Sequence, residues 1–133
     1  MLCLDTTFLI DLLKKREDAC RKFQEIEDEE LGTTQINVYE IKAGIYRRIG
    51  TEMDNGQLKL FNQMIASLGM MPLDTGAIDE AAKINGKLTH KGEIINDLDI
   101  LIAGICIANN CKTIVTKNKK HFERIDGLEV ETY

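Results

Sequence analysis

The chain has 133 residues, of which 44% are hydrophobic and 29% charged, and its formal net charge is −5. This length is typical of one domain, which we predict over residues 1–133, and the composition excludes a disordered chain. The longest apolar run, residues 100–108, is well short of the ~20 residues that a membrane-spanning helix needs. The acidic balance gives no argument for nucleic-acid binding, so such a partner would require a local basic patch or metal ions.

The N-terminus and the cysteines indicate an intracellular protein. The opening MLCLDTT has no basic region of the kind that begins a signal peptide. The cysteines Cys3, Cys20, Cys106 and Cys111 show no CxxC spacing and have no nearby pair of histidines. We therefore expect a cytoplasmic protein with no membrane segment, no disulfide framework and no zinc site. Cys3 and Cys106 lie in apolar runs, which predicts that they are small core residues.

In the first half of the chain, short apolar runs alternate with helical patterns. The predicted elements, in chain order, are a strand at 2–4, helices at 8–15 and 18–29, a strand at 31–35, and helices at 38–49 and 58–68. Gly69 follows the last of these helices and is its predicted C-cap. The first strand ends at an Asp-Thr-Thr triplet, which is typical of a helix start.

The second half continues the alternation. The predicted elements are a strand at 70–73, a helix at 77–89 capped by Asp74 and Thr75, a helix at 100–108 opened by residues 96–99, a strand at 112–116, a helical turn at 118–124 and a strand at 128–132. This order predicts an α/β fold with three layers, α/β/α, and a central, mostly parallel sheet. Functional sites in such sheets lie at the carboxyl ends of strands.

Two acidic residues lie at or near these strand ends. Asp5 follows the first strand directly, and its alternative role is that of an N-cap for the next helix. Glu40 lies on the helix after the second strand, and its alternative role is that of a solvated helix charge. Its helical neighbours Ala43 and Gly44 are small, so we expect another backbone to approach closely there.

Asp99 opens a helix that is apolar on all sides, as a buried helix is. A carboxylate on a buried helix has to be paired or bound to a metal, because burying an isolated charge is costly. The alternative is a capping box, with Asn96 as the N-cap and Asp99 at the third helical position. Asp97 points elsewhere by helical geometry, and is either the cap itself or a group that supports a metal ligand.

Polar residues also follow the strand at 112–116, where Asn118 offers a carbonyl oxygen or serves as a simple turn residue. His121 lies within reach of such a site but is expected at a surface turn, and His90 is expected on the surface. A convergent set of carboxylates repels itself unless a cation lies among them. Oxygen ligands favour Mg²⁺ or Mn²⁺, so the sequence predicts one of these ions.

A carboxylate-bound Mg²⁺ most often acts on phosphate. Basic residues follow the predicted site segments closely, which would let them track a chain of phosphates, although each group also fits a solvated surface charge. These residues are Lys14, Lys15, Arg16, Arg47, Arg48, Lys117, Lys119, Lys120 and Arg124.

The chain resembles a known family over nearly its whole length. The matching segments are LDTTFLI at 4–10, NVYE at 37–40, DLDILIA at 97–103, IVTKN at 114–118, HFERI at 121–125 and GLEV at 127–130. In this order and at this spacing they are similar to a PIN domain, and most of all to the VapC-type toxin ribonucleases of prokaryotic toxin–antitoxin pairs. One segment alone would be weak evidence, but together they are specific.

The resemblance implies a single PIN-like domain and a Mg²⁺- or Mn²⁺-dependent endoribonuclease. It places the family's acidic residues on Asp5, Glu40 and Asp99, with Asn118 at the fourth position. It places the associated hydroxyls on Thr6 and Thr116. It also implies an RNA substrate, a small antitoxin partner that covers the site, and a homodimer.

The sequence departs from the family pattern at three positions. Thr7 stands where the family usually has Asn, Asn118 replaces a charged ligand found in many members, and His121 stands where Asp is common.

Two other functions remain open. A PIN-fold module that binds RNA or protein without catalysis would have lost one of the three acids, and all three are present. A Mg²⁺-dependent phosphatase with an Asp nucleophile generally needs a second acid at position 7, which is Thr here.

Overall fold

The computed structural model describes residues 1–52 and 56–133 of the chain. The strands in these residues are β1 (Leu2–Leu4), β2 (Leu31–Thr34), β3 (Gly69–Met71), β4 (Thr113–Val115) and β5 (Glu129–Glu131). The helices are α1 (Thr6–Leu13), α2 (Glu17–Ile26), α3 (Gln35–Tyr46), α4 (Gln57–Ile65), α5 (Thr75–His90), α6 (Asp97–Ala108) and α7 (Lys119–Phe122). The predicted α/β class is confirmed.

The five strands form one parallel sheet in the order β3-β2-β1-β4-β5. β1 is the central strand, and its Cys3 pairs in register with Gly32 of β2 and with Ile114 of β4. The chain builds outward from β1 to one side and then returns to build the other side from β4. The reversal of strand order therefore lies between β1 and β4, where parallel sheets bind their ligands.

Helices cover both faces of the sheet. Cys3 of β1 packs into a core with α5 and α6, whereas Leu2 and Leu4 pack into a core with α1, α3 and α4. This alternation follows from the two-residue period of a strand, which points successive side chains to opposite faces. The three predicted layers are confirmed. Cys3 and Cys106 are fully buried and unpaired, as predicted from their apolar surroundings.

Helix boundaries differ from the predicted ones where a local cap decides them. α3 begins at Gln35 and not at 38, because the Thr34 hydroxyl accepts the amide of Asn37 and starts the helix earlier. α1 ends at Leu13, before Lys15 takes a left-handed backbone with φ 55°. The prediction that Gly69 is a C-cap is wrong, since Gly69 opens β3. The Asp74 cap of α5 is confirmed by its bond from the Ala77 amide at 2.9 Å.

α5 and α6 approach each other closely at Gly104. A Cβ atom at this position would lie 2.6 Å from both the Cβ and the amide nitrogen of Ala81, and 2.8 Å from the Ala77 carbonyl oxygen. Only glycine fits at such a contact without a shift of backbone. This close packing fixes α6, whose first turn carries Asp99, against the rest of the domain.

No helix in residues 1–52 and 56–133 is both long enough and apolar enough to span a membrane.

Candidate active site

Polar side chains from four segments meet at the carboxyl ends of β1 and β4. Asp5 follows β1 and Thr116 follows β4, while the second turn of α3 brings Glu40 and the first turn of α6 brings Asp99 to the same edge. Each of these residues was predicted from the sequence as part of the site. Their convergence follows from the parallel sheet, which collects the ends of neighbouring strands at one edge.

Asp5 is buried, with 1% of its surface exposed, and its carboxylate is held by two donors. The Thr116 hydroxyl donates to Oδ2 at 2.6 Å, and the side-chain amide of Asn37 donates to Oδ1 at 2.9 Å. Asp5 occupies the N-cap position of α1 but makes no side-chain cap bond to the helix. The alternative reading of Asp5 as a capping residue is therefore wrong for its side chain.

Glu40 is half-buried and turned towards the site. The Thr6 hydroxyl donates to its Oε1 at 2.9 Å, and the same hydroxyl accepts the amide of Asn37 at 3.0 Å. The alternative of a solvated helix charge is thus wrong. The expected approach of a backbone beside Gly44 is also wrong, because the guanidinium groups of Arg47 and Arg48 occupy that space.

Asp99 lies in the first turn of α6, and 11% of its side chain is exposed. Its Oδ2 lies 2.7 Å from Nδ1 of His121, which follows β4. Asn96 is the N-cap of α6, as the alternative predicted, and its side chain accepts the amide of Leu98. The capping box does not form, because Asp99 makes no bond back to Asn96. His121, predicted at a surface turn, is partly exposed but makes this direct contact with the site.

Asp97 and Asn118 lie at the margins of the site. Asp97 lines a groove between α5 and α6 with Ile78 and Leu101, so the prediction that it faces away from Asp99 is confirmed. Asn118 is the N-cap of α7, and its backbone amide donates to the Thr116 hydroxyl at 3.0 Å while its side chain makes no cap bond. His90 is exposed, as predicted.

Two further residues bond to the site: Asn37, which was not named as a candidate, and Thr7, which was named only as a departure from the family pattern. Asn37 is fully buried and connects Asp5 and Thr6, while its carbonyl accepts the Thr34 hydroxyl at 2.7 Å. Thr7 lies 3.3 Å from the Thr116 hydroxyl and accepts the Lys117 amide at 3.1 Å. A signal for Asn37 is present in its position one helical turn before Glu40, which places both side chains on one face of α3.

The carboxylates of the site disfavour each other's charge. Burial raises the pKa of Asp5 to about 6, against the hydrogen bond from Thr116, and the charges of Asp99 and Glu40 raise it further. Burial also raises the pKa of Glu40, and the charge of Asp99 adds to this effect. The electrostatic imbalance is of the kind that a bound cation relieves.

The oxygen donors of the site are of the kind that Mg²⁺ and Mn²⁺ prefer, but they do not form a closed cage around an ion. In residues 1–52 and 56–133, no three His, Cys, Asp or Glu side chains are grouped closely enough to surround a metal ion by themselves. Mg²⁺ keeps several waters and is commonly held by one or two carboxylates, so a closed protein cage is not required. Oxygen donors from Asp5, Glu40 and Asp99 meet that requirement.

The predicted basic residues are divided among different environments. Lys14, Arg47 and Arg48 line a pocket with Glu40 beside the site. Lys117 instead forms ion pairs with Asp11 and Asp18 at 3.0 and 3.1 Å. The prediction of a basic track beside the site is therefore supported for Lys14, Arg47 and Arg48. It is not supported for Lys117 and Arg16, which are paired with acids, or for Arg124, which lines a separate pocket.

The class of protein follows from the fold and from comparison with known sequences. The model of the PIN domain family matches residues 2–128, which is nearly the whole chain. The chain therefore belongs to the PIN domain family, as the resemblance implied.

Within this family the chain is similar to proteins named VapC. Ribonuclease VapC1 of Methanocaldococcus jannaschii is 31% identical over 132 residues, which cover 99% of this chain and 86% of that protein. The tRNA(fMet)-specific endonuclease VapC of Salmonella typhimurium is 25% identical over 130 residues, which cover 98% of this chain and 96% of that protein.

Solved structures show the same fold. The Rickettsia felis VapBC2 complex, bound to a DNA fragment from its promoter, contains a chain that matches with a TM-score of 0.86 and 22% identity, covering 99% of this chain and 98% of that one. The DNA-bound VapBC complex of Salmonella typhimurium matches with a TM-score of 0.82 and 26% identity, covering 98% and 96%. The predicted PIN-like architecture is confirmed.

Proposed function

We propose that this chain is an endoribonuclease that hydrolyses RNA phosphodiester bonds with Mg²⁺ or Mn²⁺, and that it is the toxin of a toxin–antitoxin pair. One observation carries the proposal, namely the convergence of Asp5, Glu40 and Asp99 from three segments onto one edge of a PIN-domain sheet. The similar proteins named ribonuclease and endonuclease VapC support it.

Asp5 and Asp99 are the proposed direct ligands of the cation, and Glu40 completes the site directly or through water. A divalent cation bound there would polarise a phosphoryl oxygen, lower the pKa of the attacking water and stabilise the leaving oxygen. The raised pKa values of Asp5 and Glu40 favour this assignment, because neither acid forms an ion pair with Lys or Arg in residues 1–52 and 56–133.

The surrounding residues hold these acids in place. Thr116 and Asn37 fix both oxygens of Asp5, so that its carboxylate keeps one orientation at the end of β1. Thr6 holds Oε1 of Glu40, which makes it a positioning residue in addition to its proposed contact with a ligand or the scissile phosphate. Asn118 stands at the outer margin of the site.

His121 takes the position where an acid is common in the family. Its Nδ1 contacts Asp99 and orients that carboxylate towards the sheet edge. Asp97, which lies on the same helix but lines a different groove, has no proposed role in the site.

A cleavage assay tests the proposal with a matched control on the same helix. Wild type, Asp99→Asn and Asp97→Asn are incubated with a mixed RNA pool in Mg²⁺, in Mn²⁺ and in chelator. We expect cleavage by wild type and Asp97→Asn in either metal, none in chelator, and a loss of at least about 100-fold in Asp99→Asn. Full activity of Asp99→Asn would contradict the site, and a folded wild type that binds RNA without cleaving it would favour the binding-module alternative.

The proposal includes an antitoxin that binds the α1, α2 and α4 face. An apolar pocket of about 180 Å³ opens there, lined by Leu12, Phe23, Met64 and Leu68 among others. The similar structures include a member of the VapBC family of toxin–antitoxin systems from Mycobacterium tuberculosis, which supports a partner of this kind. An antitoxin should abolish cleavage by wild type at equimolar ratio and act more weakly on Met64→Glu, and equal inhibition of both would contradict this binding site.

The proposal also includes a homodimer and a cytoplasmic location. The groove between α5 and α6 is bordered by Ile78, which is 53% exposed. The segment that connects these two helices carries Ile94, which is 89% exposed. Contact with a second copy would cover these side chains. Sedimentation should show a dimer that Ile78→Glu dissociates, and a wild-type monomer at high concentration would contradict it.

Four free cysteines suit a reducing cytoplasm.

A further inference from the structure

A basic pocket lies directly beside the site, on the second and third turns of α3. It has a volume of about 130 Å³, and its polar rim consists of Lys14, Glu40, Arg47, Arg48 and Gln57. Glu40 belongs both to this pocket and to the catalytic centre, where it accepts the Thr6 hydroxyl. The pocket and the centre are therefore adjacent and share Glu40.

The two guanidinium groups of this pocket converge on one glycine. An added Cβ at Gly44 would lie 3.6 Å from Nη2 of Arg48 and 3.8 Å from Nη2 of Arg47. Arg48 is held in place by the side chain of Gln57, whose Oε1 accepts its Nη1 at 2.9 Å. Because Gly44 has no side chain, both planar groups can lie against α3 with their donors turned to the pocket.

The charged side chains of this pocket are mostly cationic. In the described parts of the chain, none of Lys14, Arg47 and Arg48 forms an ion pair, and Glu40 is the only acid that lines their pocket. A second cationic pocket is lined by Lys83, Lys87, Lys91 and Arg124 together with Glu80 and Asp126, and Lys83 forms an ion pair with Glu80. Both pockets thus carry an excess of positive charge, and the first is the one that shares Glu40 with the site.

We propose that the Lys14, Arg47 and Arg48 pocket is a phosphate subsite that holds the RNA backbone next to the phosphate being cleaved. The inference rests on the proposed ribonuclease function. Guanidinium groups offer planar, paired donors that match phosphate oxygens, and they keep their charge at any working pH. A strand whose scissile phosphate lies at Asp5 and Asp99 runs past Glu40, so an adjacent phosphate comes to this pocket. The acids of the centre repel the RNA backbone, and the cations of the pocket offset that repulsion at the adjacent phosphate.

RNA binding by the metal-free protein tests the subsite without any cleavage. A short fluorescent single-stranded RNA is titrated in chelator with wild type, with Arg47→Gln/Arg48→Gln, and with the matched control Lys87→Gln/Lys91→Gln, which removes the same charge from the second pocket. We expect the arginine variant to lose about tenfold in affinity at roughly 0.1 M salt, and its salt slope to fall by about 1.4. The control should change by less than about twofold.

Cleavage kinetics separate this subsite from the catalytic centre. In Mg²⁺ the arginine variant should show a raised KM with kcat nearly unchanged, because the lost contact holds substrate and transition state alike. Asp99→Asn should show the reverse, with RNA binding kept and cleavage lost. If wild type cleaves no RNA, the proposed function fails, while the binding comparison in chelator still decides the subsite.

Several outcomes would overturn the subsite. These are unchanged RNA affinity in the folded arginine variant, an equal loss in the control, and no RNA binding by wild type at all. A further arm uses a labelled polyglutamate peptide of the same charge. If the peptide binds as tightly as RNA and loses affinity in the arginine variant alone, the pocket is a site for an acidic protein segment and the RNA proposal is wrong.

Discussion

Asp5 shows at the scale of one residue why we propose a cation at this site. Its carboxylate is buried, and burial raises its pKa to about 6 even though Thr116 donates to it. Asp99 and Glu40 add their repulsion. The folded chain therefore binds a proton at Asp5 more tightly than the unfolded chain does, so ionising Asp5 works against folding.

A dependence of stability on pH follows for the metal-free protein. Because the pKa of Asp5 rises from 3.8 in the unfolded chain to about 6 on folding, its contribution is most favourable below pH 3.8 and is lost as the pH rises through about 6. In chelator at pH 7, Asp5→Asn should thus be more stable than wild type by on the order of 1–2 kcal/mol.

Urea unfolding at several pH values, with chelator and with Mg²⁺, measures this difference. The advantage of Asp5→Asn should vanish near pH 4. It should also shrink in Mg²⁺, because the cation binds only the wild-type carboxylate. A wild type in chelator that is more stable than Asp5→Asn at pH 7 would contradict the assigned role of burial.

The acids of the site and their hydroxyl partners Thr6 and Thr116 could be predicted from the sequence and its family resemblance, but the role of Asn37 could not. Asp5, Glu40 and Asp99 stand next to recognisable strand and helix starts, and position alone made them candidates. Asn37 falls just before the predicted start of its helix, and only the fold shows that its amide reaches Asp5 across 32 positions of sequence. His121 was underestimated for the same reason, since its bond to Asp99 joins two distant segments.

At the scale of elements, the helix pair α5 and α6 sets the position of Asp99. The pair touches so closely at Gly104 that the Cβ of any other residue would lie 2.6 Å from atoms of Ala81. The helices themselves could be predicted from their periodicity and caps. The contact could not, because a helix that is apolar on all sides does not show which face meets a neighbour.

Gly104→Ala tests this contact against a glycine with open space. We expect Gly104→Ala to destabilise the fold by about 1–3 kcal/mol or more through overpacking. Gly86→Ala in α5, where an added Cβ meets nothing within 4 Å, should stabilise it by about 0.5–1 kcal/mol. Urea midpoints of the two variants measure both effects, and changes of the same sign and size would show that the close approach at Gly104 is not a constraint.

At the scale of the whole molecule, the parallel sheet assembles the site. The alternation of strands and helices predicted three layers and a carboxyl edge where polar residues meet. Strand order was left open by this pattern, and the order β3-β2-β1-β4-β5 is what places the ends of β1 and β4 side by side. Asp5 and Thr116, 111 positions apart, are hydrogen-bonded for this reason. The central claim is that this assembly exists to hold a divalent cation.

Binding of Mn²⁺ tests that claim most directly. Free Mn²⁺ is followed by its electron paramagnetic resonance signal during titration into wild type, Asp99→Asn and Asp97→Asn at neutral pH. Wild type and Asp97→Asn should bind the ion with equal affinity, and Asp99→Asn should bind it at least about tenfold more weakly, because a direct ligand is lost. Equal binding by all three proteins, or none by wild type, would contradict a cation centre formed by Asp5, Glu40 and Asp99.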